Sequence, residues 1–224
     1  MIEQLPTWLD LLFIISAIYT IAVFHYTNDK PVKNTSLILL WSVAHSILAY
    51  LGFYENTISL PPRFGLVIIP LIIMLILVIR HQKNSNSSSR TLWKTSLIHI
   101  VRIPVELTLY YLFVYKAVPE LMTFAGRNFD ILAGLTAPII VFLLYKKMIG
   151  RKVFLIWNIA SLGLLAFIVV NAILSVESPF QQFGLDQPNR ALSYFPYILL
   201  PATIAPLVMY THILDIFEIR RNKM

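Results

Sequence analysis

The chain contains no cysteine, which excludes disulfides, thiolate catalysis and thiolate metal sites. Charge is scarce as well: 13% of the 224 residues are Asp, Glu, Lys or Arg, against about 25% in ordinary soluble domains. So few charges cannot clothe a water-facing surface. Reaction motifs are also missing. There is no G-x-S-x-G nucleophile elbow, no H-E-x-x-H zinc helix and no aspartate-rich pair, so the familiar intramembrane hydrolases and synthases do not apply. No catalytic residue and no cofactor is read from the sequence.

What is present is apolar: 58% hydrophobic residues and a mean hydropathy of +0.73 place the chain in a bilayer. Seven runs of about 20 apolar residues predict an all-α, polytopic bundle forming one domain over residues 1–224. The runs cover residues 7–27, 36–54, 60–79, 95–118, 129–145, 153–176 and 191–213. The first has neither a basic region before it nor a small-residue cleavage pattern after it, so it reads as a retained helix. The polar stretch 84–89 reads as a flexible connector.

Basic residues set the orientation. With the N-terminus outside and the C-terminus cytoplasmic, 13 of the 18 Lys and Arg fall on inner connections, among them Lys30, Lys33, Arg90, Lys94, Lys146 and Lys223. The net charge of +7 is then a cytoplasmic bias, and nucleic acid is not the expected partner. The last run contains no lysine, which excludes a retinal Schiff base.

The fourth run breaks the apolar rule with His99, Arg102, Pro104 and Glu106. A charge near the bilayer centre costs about 2.5 to 3.5 kcal/mol on the mildest scale, so such residues face protein, water or ligand. At ~1.5 Å per residue from Lys94, Arg102 lies about 12 Å and Glu106 about 18 Å along the helix, within a core roughly 30 Å thick. His99, Arg102 and Glu106 recur at i, i+3 and i+7, followed by Tyr110, and so share one stripe. His45 with Ser42, Asn158 and Thr203 reach comparable depth from other helices, which predicts a shared midplane site with a Glu106 and His45 proton exchange. In the plainer account Arg102 and Glu106 neutralise each other along their own helix.

Other readings follow from single residues. Pro104 is expected to free the Ile100 carbonyl and bend the helix, and Pro201 and Pro206 to open the last helix. Asn128 or Asp130 is expected to cap the fifth helix, or the connection before it to fold back over the bundle. His212 and Asp215, three apart, are weak candidates for a metal site with Ser42 and His45.

Residues 102–106, 122–130 and 187–196, with His212, resemble an uncharacterised group of small bacterial seven-helix inner-membrane proteins. The resemblance implies the bacterial cytoplasmic membrane and brings no activity. The residues themselves predict a transporter-like bundle binding a small solute, ion or proton around Arg102 and Glu106. The alternatives are an intramembrane lipid-modifying enzyme, or a sensor or assembly subunit acting through a partner membrane protein or a second copy.

Overall fold

A computed structural model describes residue 2 and residues 5–28, 31–84 and 90–221. The connector read at 84–89 lies outside these apart from Asn84, as do Lys30 and Lys223. The described residues are helical with no named strand, and a single bridge joins Val176 to Asn189.

Five helical segments are long and apolar enough to cross a membrane. They are α1 (Thr7–Thr27), α2 (Pro31–Tyr50), the composite segment Leu92–Val114, α7 (Arg151–Leu174) and the composite segment Leu200–Arg221. Two more apolar helices are present: α3 (Gly65–Asn84), apolar over Gly65–Leu77, and α6 (Asp130–Tyr145), with only 16 residues. Outward faces carry large exposed side chains such as Ile15, Leu40 and Ile156, the surface a helix presents to hydrocarbon.

Several boundaries differ from the expected ones for local reasons. α2 starts at Pro31, where the missing N–H costs nothing, and ends at Tyr50 just before Gly52, whose φ of 72° belongs to the left-handed region. The helix expected over 60–79 begins at Gly65, beyond Pro61 and Pro62. The run 191–213 is helical only from its middle, because Ala191–Ser193 forms a 3₁₀ turn and residues 194–198 a further turn.

The composite segments hold the irregularities that build the interior. Leu92–Val114 consists of α4 (Leu92–Ser96), a 3₁₀ stretch (Leu97–Val101) and α5 (Arg102–Val114). Pro104 therefore falls in the first turn of α5, where proline is tolerated, and the irregularity lies in the 3₁₀ stretch before it. In a 3₁₀ turn residues i and i+3 eclipse, which sets His99 directly below Arg102. Leu200–Arg221 opens with a π turn (Leu200–Ile204) and continues as α8 (Ala205–Arg221), with Pro201 and Pro206 at the junction.

The main core gathers α1, α5 and the chain from 191 to 208. Tyr197 is fully buried against Phe13, with ring centroids 5.2 Å apart, and its hydroxyl donates to Asp10 Oδ1 at 2.6 Å. On the connection between α7 and the π turn, Arg190 donates to Glu177 at 2.7 Å, and this hydrogen bond raises the guanidinium pKa. Being exposed, the pair contributes little to stability.

α6 spans about 24 Å at ~1.5 Å per residue, less than the ~30 Å of a hydrocarbon core. The connection over 115–129 buries Ala117, Val118, Met122, Thr123 and Asn128. It turns back tightly at Gly126, where a Cβ would stand 2.3 Å from the Glu120 carbonyl oxygen.

Candidate functional site

Arg102 stands at the first position of α5 and is almost wholly buried. Its Nη1 donates to Asp130 Oδ1 at 2.8 Å and to the Ser161 carbonyl at 3.3 Å, and its Nη2 to His212 Nε2 at 2.7 Å. The ion pair is therefore made with Asp130 and not along the helix with Glu106, which corrects the self-neutralising account. Asp130 is the first residue of α6 and makes no cap bond; its carboxylate turns inward instead. Asn128 does take part of the capping role, since its Oδ1 accepts from the Asp130 N–H at 3.0 Å.

Close packing makes the pair possible. Gly134 faces Arg102, and a Cβ added there would lie 3.0 Å from Arg102 Cβ and 3.1 Å from the Ile103 nitrogen. α5 and α6 meet at backbone distance at this level.

The partners of His212 determine its tautomer. Arginine only donates, so Nε2 carries the lone pair. Asn158 Nδ2 donates to the Phe154 carbonyl at 3.1 Å, which leaves its Oδ1 to accept from His212 Nδ1–H at 2.8 Å. His212 is thus neutral, held between a donor and an acceptor. His99 stacks on it with ring centroids 3.9 Å apart, and the Trp157 edge approaches His99 at 5.4 Å. His99 is fully buried, and neither of its ring nitrogens bonds any described protein group.

One turn above Arg102, Glu106 receives Asn128 Nδ2 on both carboxylate oxygens at 2.7 Å, while the same amide reaches the Met122 carbonyl at 3.0 Å. Toward the start of the Leu92–Val114 segment, Asp215 accepts from Arg90 Nε at 3.0 Å and from Thr95 Oγ1 at 2.7 Å. Thr95, His99, Arg102 and Glu106 thus form a polar file on the Leu92–Val114 segment, answered by Asp215 and His212 from α8, Asn158 from α7, and Asn128 and Asp130 around the start of α6. A cavity of about 80 Å³ meets the file at Glu106 and Asp130 and is otherwise lined by apolar side chains, among them Phe64, Leu165, Leu200 and Met209.

The remaining expected members are elsewhere. His45 hydrogen-bonds the Tyr54 hydroxyl and lies 4.1 Å from the Trp41 ring, so it forms no relay with Glu106. Thr203 shares a hydrogen bond with Ser42 at 2.7 Å. Tyr110 stacks on Phe124 at 4.9 Å. His212 and Asp215, three apart, serve different partners, and no group of three or more metal-ligating side chains is found among the described residues.

Of the residues the site uses, Asp130 and Asn128 read as caps in the sequence, and the Arg90 and Thr95 partnership with Asp215 has no linear signal. Their sequence separations of 125 and 120 residues put them beyond any local pattern.

No characterised protein and no solved structure matches the chain. A family model described as a domain of unknown function (DUF8737) matches residues 59–220, farther forward than the second-half resemblance reaches. The match takes in every member of the polar file, from Arg90 to Asp215, and the chain belongs to the DUF8737 family.

Proposed function

We propose that the chain is a seven-span protein of a bacterial cytoplasmic membrane, N-terminus outside, that carries protons through its polar file as a transporter-like bundle. The observation that carries this reading is the file itself, with a cavity at its Glu106 end. Among five of its groups, Arg90 and Arg102 face the three carboxylates of Asp215, Asp130 and Glu106. One proton brings these five to neutrality, and an uncompensated buried charge is costly.

The surplus also selects among ligands. Both terminal nitrogens of Arg102 are already engaged, by a carboxylate, a carbonyl and an imidazole, and only its buried Nε is without a partner, so the paired Nη face is not open to an anionic solute. Glu106 borders the cavity and its partner is a neutral amide, so it is the member placed to gain and lose the proton. His99, stacked on His212 with two free ring nitrogens, stands where the hydrogen bonds of the file are interrupted.

The test is flux through purified protein in liposomes holding a pH-sensitive dye, driven by a potassium diffusion potential. Proton entry above that of protein-free vesicles is expected, with Glu106→Gln lowering it at least tenfold while the protein stays monodisperse. Flux equal to the vesicle leak, or Glu106→Gln equal to wild type, overturns the reading.

Orientation is tested separately, since a chain without cysteine gives single-cysteine variants a clean background. A membrane-impermeant maleimide applied to intact cells is expected to label Lys116→Cys and leave Lys146→Cys unlabelled. The reverse pattern, or labelling of both, refutes the proposed topology.

A further inference from the structure

A second and larger cavity lies on the flank of the bundle. It measures about 590 Å³ and runs between α2 and α8, bounded by Pro70 of α3. Among the described residues α3 packs mainly on α8 and the π turn, and the cavity opens sideways beside α2. Its lips are exposed Leu37 and Leu40, and its back wall is Trp41, whose Nε1 donates to the Ala202 carbonyl of the π turn at 3.1 Å.

Length and polarity identify the occupant. Along α2 the lining runs from Asn34 to Ala44, ten residues or about 15 Å at ~1.5 Å each, which is half of a ~30 Å hydrocarbon core and therefore the depth of one leaflet. One end carries charge: Asn34 closes it beside exposed Lys33, its neighbour on α2. Lys33 forms no ion pair among the described residues. A one-leaflet apolar trough with a cation at its mouth matches a single acyl chain below an anionic headgroup.

We infer that this groove binds one anionic phospholipid, its acyl chain along α2 between Asn34 and Ala44 and its phosphate at Lys33. The leaflet is the inner one, an assignment that rests on the orientation proposed above; the groove and its polar end do not depend on proton flux. Trp41 and Leu207 hold the chain on either side, and Thr203, already bonded to Ser42, lies at its deep end without offering a free donor.

Delipidated full-length protein in detergent, titrated with phosphatidylglycerol and separately with phosphatidylcholine, is read by native mass spectrometry. One saturable phosphatidylglycerol is expected, held at least tenfold more tightly than phosphatidylcholine. Ala44→Trp, which fills the deep end, is expected to weaken it at least tenfold; Leu37→Trp, on the lip, gives the same reading should Ala44→Trp fail to fold. Lys33→Glu brings the two lipids within about twofold. Equal affinity of wild type for both lipids, no saturable site, or binding unchanged in a well-folded filled-groove variant overturns the inference. Inorganic phosphate at millimolar concentration is expected not to compete; competition assigns the mouth to a free anion and overturns it too. The titration measures no flux and is indifferent to the orientation, so its failure and a failure of the proton reading are separately visible.

Discussion

Asp130→Ala is expected to lower stability by about 3 to 5 kcal/mol, the cost of stranding one member of a buried ion pair. Arg102 keeps its place in that variant, because Gly134 and Ile103 hold its Cβ and backbone against α6, yet its Nη1 retains only the 3.3 Å contact with the Ser161 carbonyl. No water-facing position lies within reach of a side chain with so little exposure. The double variant Arg102→Met with Asp130→Leu removes both charges and fills similar volume, and buried pairs so replaced are often neutral or stabilised. Thermal unfolding in detergent, followed by the loss of monodisperse protein, is expected to rank the double variant above Asp130→Ala. If the double variant is the less stable of the two, the pair contributes more than charge balance to the fold.

Gly134→Val is expected to rival it, with Gly134→Ala far milder. Alanine adds a Cβ at 3.0 to 3.2 Å from Arg102 and Ile103, tight enough to ask a few tenths of an ångström of movement. Against that strain stands a gain of roughly 1 kcal/mol in helix propensity over glycine, so the two nearly offset. Valine adds two methyls where one neighbour is the Ile103 backbone nitrogen, which cannot rotate aside. Overpacking of this kind costs about 1 to 3 kcal/mol. Forcing α5 from α6 also stretches the 2.8 Å contact between Arg102 and Asp130, so part of the ion-pair loss is added to it. The check is the same unfolding measurement, with Gly134→Ala within about 1 kcal/mol of wild type and Gly134→Val well below it. Equal effects of the two would show that the contact yields more easily than backbone should.

Residues 7–27 and 153–176 were legible because a run of some 20 apolar residues has few alternatives to a helix in an apolar medium. Ends were less so. Residues 191–199 are as apolar as a span yet fold as a 3₁₀ turn and a buried loop, since apolarity reports burial and not conformation. The stripe of His99, Arg102 and Glu106 was legible for a different reason: helical period places i, i+3 and i+7 on one face whatever surrounds them.

Depth estimates, by contrast, carry no azimuth. His45 has the depth the proton exchange required, but it points to Tyr54 and Trp41 on the other side of the π turn. Asp130 shows the converse failure. A carboxylate at the first residue of a helix is what capping predicts, and only the close approach at Gly134 reveals that an arginine 28 residues earlier stands before it.

The π turn at Leu200–Ile204 has a consequence for how one helix serves two neighbourhoods. A π turn is an α-helix holding one surplus residue, and at 3.6 residues per turn each residue accounts for about 100° of rotation. Leu200 and Pro201 line the carboxylate cavity, while Ala202 and Thr203 line the flank groove. Beyond the turn, α8 returns to ordinary pitch and delivers His212 and Asp215 to the file. The surplus residue acts as a phase shifter, setting the angular offset between the upper part of the strand of chain and the lower. It lets a partition one helix thick be wetted by hydrocarbon on one side and face carboxylates on the other, without turning either histidine or aspartate out of register.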